Sequence, residues 1–578
     1  MKDETREKSG ASVTPLTHED AISQIPALQL LQNLGYEYLT PEQALALRGG
    51  RASDVLLVGV LEEQLPKINS IRFKGQEFAF SGGNITSAIE ALRDVLFDGL
   101  VRTNEKIYDL LCLGKAMQQS VLGDQKSFTL HYIDWGNPDR NVFHVTEEFS
   151  VERRGSKETR RPDLVLFVNG IPLCVIECKS PNLKDPIAQA ISQHIRNQKE
   201  DEIPNLFLYS QLLLAVSKQD AQYGTVGTPA KFWAVWKEEV DEDAVSECVN
   251  RPLSAAARDK IFKSRPSYAR DEYEQYGTAS REVTDQDRTL YALCRPERLL
   301  ELSHRFILFD AGEKKVARYQ QYLTVKRLLS RIRERDAEGR RKGGVVWHTQ
   351  GSGKSLTMVM FAKSLALEPG LHNHRIVLLT DRIDLDDQIR RTFEHCGLEP
   401  VKARTGSHLV DLLRERKERV ITSIINKFEA SAGAKGARFD DPDVFVLVDE
   451  SHRGQYGPMH AKMRKVLPRA CYVGFTGTPV MKRDKNTVEK FGGLIQPTYT
   501  ITQAVKDGAV VPLLYEGRYV PQDVDEDAID RWFDKITENL SKEQAVDLKR
   551  KFATSDHLQR SEQRIMAIAW DISTHWRD

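Results

Sequence analysis

The second half of the chain alternates short apolar runs with stretches of helical length. Five of these runs are predicted to be strands: residues 344–347, 376–380, 420–424, 444–448 and 471–475. Strands that are apolar along their whole length and separated by helices are typical of parallel sheets with helices on both faces. The pattern therefore predicts an α/β fold with a doubly wound parallel sheet.

A glycine-rich turn follows the first of these strands and leads into a predicted helix. Backbone N–H groups and a helix N-terminus in such a turn can surround a phosphate group. We expect Lys354 to reach the β- and γ-phosphates of ATP and Ser355 to bind Mg²⁺. His348 replaces the first glycine of the usual GxxxxGK[ST] pattern. The predicted nucleotide-binding residues of the turn are Gly351, Ser352, Gly353, Lys354 and Ser355.

Three further motifs occur in the order expected around such a turn. Asp449 and Glu450 end the strand of residues 444–448; we expect Asp449 to bind Mg²⁺ through water and Glu450 to polarise the water that attacks ATP. Thr476 follows the next strand, where its hydroxyl can contact the γ-phosphate. Gln321 lies upstream of the turn. In helicase-like motors that carry such a turn, a glutamine at about this distance reads adenine. Together the motifs predict an ATPase that uses ATP and Mg²⁺.

A different catalytic pattern occupies the first half of the chain. Asp163 follows Arg161-Pro162, and Glu177 and Lys179 occur fourteen and sixteen positions later. Two carboxylates can bind Mg²⁺, which neutralises a scissile phosphate and makes hydroxide accessible near neutral pH, while a lysine stabilises developing charge. Glu177 and Lys179 are two residues apart on a predicted strand, so their side chains share one face. The alternative interpretation is an exposed strand with ordinary ion pairs.

Asp163 can join that face only if the intervening hairpin is irregular. A regular two-residue turn at Asn169-Gly170 would pair Asp163 with Ile176 and place its side chain on the opposite face. We therefore predict either a three-residue loop over residues 168–170, with Gly170 in the left-handed conformation, or a β-bulge.

Composition limits the classes of function. The chain has 83 Lys plus Arg and 83 Asp plus Glu, so any binding to DNA must depend on local basic patches. No apolar run approaches the roughly 20 residues needed to span a bilayer, so no membrane partner is expected. None of the seven cysteines forms a CxxC pair, which favours reduced thiols and a cytoplasmic location.

The order of these motifs resembles superfamily 2 helicases and translocases. More closely, residues 347–358, 380–386 and 449–453 are similar to the restriction (motor) subunit of type I restriction-modification enzymes, as are residues 161–181 and the region around Arg318. The resemblance implies a PD-(D/E)xK nuclease-like domain followed by a RecA-like helicase lobe and the start of a second lobe. It also implies an ATP-hydrolysing type I site-specific deoxyribonuclease that moves along double-stranded DNA and cuts away from the recognition site. Its partners would be the methyltransferase (modification) and specificity subunits.

On this basis we predict a domain order and an incomplete motor. A disordered leader is expected over residues 1–15, a nuclease domain over 16–265, a connector over 266–295, a first ATPase lobe over 296–515 and the start of a second lobe over 516–578. By resemblance, an arginine from a complete second lobe should finish the ATP site. We therefore expect an N-terminal portion that binds ATP but turns it over poorly.

The helix after the nuclease motif departs from the family pattern. Gln193 matches the glutamine of the Gln-x-x-x-Tyr motif that supports contact with DNA, but Asn197 stands where tyrosine is expected. Two alternative functions remain open. One is the N-terminal part of a single-chain restriction-modification protein. The other is a translocase scaffold whose nuclease fold is inactive.

Overall fold

The apolar runs of the second half form a sheet of seven parallel strands. The computed structural model describes residues 23–263, 265–274, 280–371, 373–431, 438–449, 462–478, 488–489, 491–512, 517–518, 526–552 and 562–576. The predicted leader, residues 1–15, and the predicted catalytic residue Glu450 lie outside these ranges. The chain divides into two compact units, residues 1–510 and 511–578.

The N-terminal region of the first unit mixes short helices and strands. Its strands are β1 (Glu37–Leu39), β2 (Ile71–Phe73), β3 (Gln76–Phe78), β4 (Lys115–Val121), β5 (Asp124–Leu130), β6 (Phe143–Glu147), β7 (Val151–Glu152), β8 (Thr159–Arg160), β9 (Leu164–Val168), β10 (Ile171–Lys179), β11 (Leu212–Ser217) and β12 (Asp220–Gly224). Its helices are α1 (Ile25–Asn33), α2 (Pro41–Ala46), α3 (Val58–Ile68), α4 (Gly82–Arg93), α5 (Leu100–Leu113), α6 (Pro186–Asn197), α7 (Pro204–Phe207), α8 (Glu242–Asn250), α9 (Ala255–Phe262) and α10 (Ser267–Glu272).

A six-stranded mixed sheet organises this region, in the order β1-β6-β9-β10-β11-β12. Strand β9 is antiparallel to both of its neighbours, β6 and β10, whereas β1 pairs with β6 and β10 pairs with β11 in parallel. Every residue of β9 and β10 is buried. The predicted nuclease residues therefore lie at the ends of two fully buried strands.

The rest of the first unit contains the parallel sheet. Its strands are β13 (Ile307–Asp310), β14 (Glu313–Val316), β15 (Gly344–His348), β16 (Arg375–Thr380), β17 (Val401–Lys402), β18 (Val420–Ile424), β19 (Val444–Val448), β20 (Cys471–Thr476) and β21 (Leu494–Tyr499). Its helices are α11 (Asp285–Cys294), α12 (Pro296–Arg305), α13 (Tyr319–Arg333), α14 (Lys354–Ala366), α15 (Ile383–His395), α16 (Gly406–Glu415), α17 (Ile425–Ser431) and α18 (Ile501–Lys506).

The seven-stranded sheet confirms the predicted α/β class. Its order is β17-β18-β16-β19-β20-β15-β21, and every neighbouring pair is parallel. All five predicted strands are present, each shifted by at most one residue at either end, and β17 and β21 extend the sheet at its two edges. From β15 the chain crosses the sheet to β16 and β17 and then returns through β18, β19 and β20. In open parallel sheets of this kind, ligands bind beyond the carboxyl ends of the strands.

The two regions of the first unit share a hydrophobic core. One cluster of buried side chains runs from Ile25 to Ile495 and includes residues of both sheets. Within the predicted connector, α11 packs on α1, and Ser23 Oγ donates a hydrogen bond of 2.6 Å to Gln286 Oε1. The domain boundaries remain predictions.

The second unit is helical in the residues that the structure describes. It contains α19 (Glu526–Thr537), α20 (Lys542–Phe552) and α21 (Glu562–His575). In the described part of the whole chain, no helix combines the length and the apolar character needed to cross a membrane.

Two candidate active sites

The hairpin of β9 and β10 decides where Asp163 points. Val168 pairs with Ile171 across a two-residue turn, in which Asn169 and Gly170 have φ angles of 52° and 87°. The register then shifts between Pro172 and Cys174, so that Ile176 faces Leu164. Because one extra residue stands in β10, Asp163 comes opposite Glu177 rather than Ile176. The predicted β-bulge is confirmed, and the alternative of a three-residue loop is wrong.

Packing explains why the turn is tight. The N–H of Leu57, at the start of α3, donates to the carbonyl of Gly170 at 2.9 Å. A Cβ atom on Gly170 would lie 2.6 Å from the Leu57 carbonyl oxygen. The side chain of Asn169 accepts from Val142 N–H and donates to the Tyr132 carbonyl at 3.0 Å. These bonds hold the Asn-Gly turn at two residues, so the irregularity of the hairpin lies in strand β10.

The three predicted nuclease residues meet in one buried cluster, here called the nuclease cluster after their predicted role: Asp163, Glu177 and Lys179. Asp163 Oδ2 accepts hydrogen bonds from the Cys178 N–H at 2.7 Å and from Lys179 Nζ at 3.2 Å. Lys179 Nζ also lies 4.0 Å from Glu177 Oε2. The side chain of Glu177 is fully buried, and those of Asp163 and Lys179 are nearly so. The structure therefore assembles two carboxylates and a lysine on one face.

The environment of Glu177 opposes its ionisation. Burial raises the pKa of this carboxyl well above its ordinary value, and the charge of Asp163 raises it further. Gln193 Nε2 donates to Glu177 Oε2 at 2.6 Å, while Glu177 Oε1 has no hydrogen-bond partner among the described residues. A divalent cation between the two carboxylates would satisfy that oxygen and offset the desolvation.

The donor set fits Mg²⁺, which prefers a few carboxylate oxygens and several waters. No group of three or more His, Cys, Asp or Glu residues suited to a metal occurs in the described part of the chain. Asp163 and Glu177 would therefore hold the ion together with water and substrate oxygens.

Helix α6 places Gln193 at the nuclease cluster. The helix starts at Pro186 and buries Ile187, Ile191 and His194 against the sheet, which turns Gln193 toward Glu177. Gln193 thus positions a carboxylate; contact with DNA remains a prediction. One turn further on, Asn197 is buried, and its Oδ1 accepts from Arg196 Nη2 at 3.1 Å.

The glycine-rich turn, here called the phosphate loop after its predicted role, lies between β15 and α14. Gly353 precedes α14 with a φ of +87°, and a Cβ atom there would lie 2.6 Å from Gln321 Nε2. Lys354 is the first residue of the helix, and its Nζ lies 3.8 Å from Asp449 Oδ1 at the end of β19. Ser355 follows, half-buried, in the first helical turn. A lysine, a serine and a carboxylate therefore converge at the N-terminus of α14.

Strand β20 brings the fourth motif to the same edge. Thr476 pairs with Trp347 of β15, and a Cβ atom on Gly477 would lie 3.1 Å from Lys354 Nζ. Within the loop, Ser352 Oγ donates to the Thr349 carbonyl at 2.6 Å. The predicted residues from the loop, Asp449 and Thr476 are thus brought together.

Gln321 uses its amide within the protein. Its Nε2 donates to the Gly353 carbonyl at 3.1 Å, and its Oε1 accepts from the Arg318 N–H at 2.9 Å. The side chain therefore supports the phosphate loop. Recognition of adenine by Gln321 remains a prediction.

A cavity of about 890 Å³ opens beside the loop. Its size falls within the range of small-ligand sites. Sequence reasoning missed the residues on its other walls: Phe232, Tyr499 and Asp507. These residues are far apart in the sequence, and only their aromatic or charged character could have marked them.

Asp507 joins three elements around this cavity. Lys237 forms an ion pair with its carboxylate, and the hydroxyls of Tyr319 and Tyr499 donate to Oδ2 at 2.7 and 3.0 Å. Burial alone would raise the pKa of Asp507, but the hydrogen bonds from Lys237 and the two tyrosines hold it below its ordinary value. Lys237 follows the six-stranded sheet in sequence, so this ion pair links the two regions of the first unit.

Two family matches cover the two regions. Residues 17–232 match the family described as the type I restriction enzyme R protein N terminus, and residues 320–546 match the SWI2/SNF2 ATPase family. The first match contains the nuclease cluster, and the second contains the phosphate loop and its partners.

Similar proteins are known from bacteria and archaea. The chain is 30% identical over 599 residues to the type I restriction enzyme HindI endonuclease subunit of Haemophilus influenzae, covering 97% of this chain and 51% of that protein. It is also 30% identical over 581 residues to a Methanocaldococcus jannaschii protein named as the MjaIXP endonuclease subunit of such an enzyme, covering 97% and 52%. The chain therefore spans about half the length of these relatives.

Similarity to solved structures is weaker. A nuclease-deletion mutant of the Type ISP restriction-modification enzyme LlaGI, in complex with a DNA substrate mimic, is 16% identical, with a TM-score of 0.27 and coverage of 44% of this chain and 26% of that one.

Proposed function

We propose that this chain, which carries the R protein N-terminal region of type I restriction enzymes followed by a SWI2/SNF2 ATPase region, is a DNA-cutting and DNA-translocating subunit. The observation that supports this most strongly is the β-bulge that brings Asp163 opposite Glu177 beside Lys179. In this proposal the subunit acts on double-stranded DNA, together with methyltransferase and specificity subunits, and cuts away from the recognition site.

The proposed cleavage site uses Asp163 and Glu177 to hold Mg²⁺. The bound ion would supply charge neutralisation at the scissile phosphate and a water of lowered pKa. Lys179, held by Asp163, lies where it can donate a proton or stabilise charge on the phosphate oxygens. Gln193 keeps Glu177 oriented through its 2.6 Å hydrogen bond.

The proposed motor site binds ATP at the N-terminus of α14. Lys354 would contact the β- and γ-phosphates, and Ser355 and Asp449 would hold Mg²⁺. Glu450 would orient the attacking water, and Thr476 would contact the γ-phosphate from the end of β20. With a complete second lobe to finish the ATP site, cycles of ATP binding and hydrolysis would then move duplex DNA past the nuclease cluster.

Metal binding tests the nuclease assignment directly. The affinity of the full chain for Mn²⁺, measured by titration calorimetry, should fall strongly in Asp163→Asn because one of two carboxylate ligands is lost. Asp139→Asn, on an exposed turn, serves as the matched control and should bind like the unmodified chain. Equal affinities for all three proteins would reject the metal site and leave an inactive scaffold as the better interpretation.

A cleavage assay tests the same site in the assembled enzyme. Lys179→Ala should leave translocation intact but stop double-strand cleavage, because the lysine acts at the phosphate and not at ATP. Cleavage at the normal rate would show that another group stabilises the developing charge.

A further inference from the structure

A two-stranded ribbon extends the central sheet beyond the nuclease cluster. Two hydrogen bonds continue the pairing beyond the last residue of β6 and before the first residue of β9. The Glu148 N–H donates to the Asp163 carbonyl at 3.0 Å, and the Phe149 N–H donates to the Pro162 carbonyl at 3.2 Å. The pairing continues through β7 and β8. The two strands that flank Asp163 therefore run on as a hairpin, here called the basic ribbon, residues 151–161.

The basic ribbon concentrates positive charge in a chain whose formal net charge is zero. Residues 153–161 contain five cations and one carboxylate. The cations are Arg153, Arg154, Lys157, Arg160 and Arg161. Because the last of them stands two residues before Asp163, the charge begins at the catalytic centre and continues outward.

Buried contacts hold the ribbon in place. Glu202 is 6% exposed and accepts two hydrogen bonds from Arg160, at 2.6 and 2.9 Å. Arg153 Nε lies 3.2 Å from the same carboxylate, and the Arg160 hydrogen bond lowers the pKa of Glu202. The Glu152 N–H also donates to the Ala52 carbonyl at 3.0 Å. Arg153 and Arg160 are therefore structural, and the ribbon has one fixed direction.

Two cations remain available at the surface. Lys157, near the tip, and Arg161, at the base, are exposed, and neither forms an ion pair with another described residue. The acidic groups nearby lie close to other cations of the ribbon. Glu158 and Asp201 lie 2.7 and 3.5 Å from Arg153, and Glu200 lies 3.8 Å from Arg154. The charge of Arg161 also helps to hold down the pKa of Glu148, although burial leaves that pKa raised.

We propose that the basic ribbon binds the phosphate backbone of duplex DNA and seats the duplex over the nuclease cluster. The inference rests on the proposed nuclease function. A two-stranded β-ribbon is one of the shapes that the major groove of B-DNA admits, and Lys and Arg contacts to phosphates position DNA without reading its sequence. Residues 154–157 form the turn of this hairpin, and the five steps from Glu158 to Asp163 reach at most about 17 Å, more than the roughly 12 Å width of that groove.

Salt-dependent binding tests the ribbon. The full chain is titrated, without Mg²⁺ or nucleotide, against a short fluorescent duplex of arbitrary sequence, and anisotropy is followed between about 50 and about 200 mM salt. Lys157→Gln and Arg161→Gln should each weaken binding and lower the slope of log affinity against log salt by about 0.9, because one phosphate contact is lost. Lys126→Gln, on the exposed β4–β5 hairpin, is the matched control and should keep the full slope.

The outcomes separate this proposal from the nuclease assignment. Unchanged slopes in both ribbon variants would overturn the ribbon proposal, even if Asp163→Asn stops cleavage. Conversely, cleavage that persists in Asp163→Asn would reject the nuclease cluster while leaving the slopes as evidence for DNA contact. If Arg161→Gln unfolds, Lys157→Gln decides alone, and Lys157→Arg should restore the slope. Loss of binding to methyltransferase–specificity subunits with an unchanged DNA slope would assign the ribbon to a protein partner and overturn the proposal.

Discussion

Glu177 illustrates at the residue scale how a proposed catalytic position reduces stability. Its folded-state pKa is raised above the ordinary 4.5, chiefly by burial. A raised pKa means that stability present below pH 4.5 is lost as pH rises toward the folded-state value. In chelator, Glu177→Gln should therefore unfold at a higher temperature than the unmodified chain at pH 7, and the gain should shrink at pH 4.

The same substitution should abolish metal-dependent cleavage, because an amide is a poor ligand for Mg²⁺. Glu62→Gln, on the exposed face of α3, is the control and should change neither the unfolding temperature nor cleavage. A variant at Glu177 that is less stable than the unmodified chain at pH 7 would contradict this account.

In the proposed motor site, Lys354 carries the charge that would bind phosphate. Lys354→Ala should weaken ATP binding by about tenfold to 150-fold, the range expected for the loss of a hydrogen bond to a charged group. The measurement is the ATP-dependent shift of the unfolding temperature. Lys326→Ala, which removes a surface lysine paired with Glu301, should keep the full shift. An equal shift in both variants would reject the assignment of the phosphate loop.

At the scale of elements, the β9–β10 hairpin sets the geometry of the nuclease cluster. Asn-Gly is a strong signal for a two-residue turn, because both central positions need positive φ. The bulge, in contrast, leaves no pattern in the sequence. Strand β10 is buried at every position, so a shift of one residue exchanges apolar side chains for apolar side chains. Two indications predicted an irregular hairpin: Asp163 must meet Glu177, and Pro172 cannot donate a hydrogen bond to the strand pairing.

Two matched glycines separate the causes of strain at this turn. Gly170 and Gly123 have φ angles of +87° and +85°, but only at Gly170 would a Cβ atom meet the protein, 2.6 Å from the Leu57 carbonyl oxygen. Gly123→Ala should cost about 1 kcal/mol through its backbone conformation alone. Gly170→Ala should cost about 2 kcal/mol more, measured by chemical denaturation. Equal losses would show that α3 moves away without cost.

At the scale of the whole molecule, buried polar contacts join the two regions of the first unit. Lys314 of β14 is buried, and its Nζ donates to Asn104 Oδ1 at 2.7 Å, the Ser210 carbonyl at 3.0 Å and Gln211 Oε1 at 2.6 Å. Lys237 and Asp507 form a second link beside the cavity at the phosphate loop. Because these contacts cross the predicted domain boundary, the nuclease cluster and the phosphate loop are built into one body.

Buried histidines should make this body sensitive to acid. Burial lowers the pKa of His194, beneath the six-stranded sheet, and of His348, at the end of β15, to about 4. Both values lie below the ordinary 6.5, so stability is full above pH 6.5 and is lost as pH falls toward 4. The lowered pKa of each histidine should reduce the free energy of unfolding by about 2 kcal/mol at pH 5.

Urea denaturation at pH 7 and pH 5 measures this loss. His194→Phe removes one of the two ionisations and should reduce the difference between the two pH values, whatever its effect on stability at pH 7. A difference as large as that of the unmodified chain would exclude His194 as a cause.

Local patterns in the sequence predicted the parallel strands, the glycine-rich turn before α14 and the residues that meet in the two candidate sites. Apolar runs, glycine turns and closely spaced polar residues are properties of neighbouring residues, so they can be read without a structure. The tertiary structure alone decided between a bulge in β10 and a longer loop, and it alone revealed the edge strands β17 and β21 and the cavity walls around Phe232 and Asp507. Those features depend on which distant surfaces pack together, as Leu57 against Gly170 and Lys237 against Asp507 show.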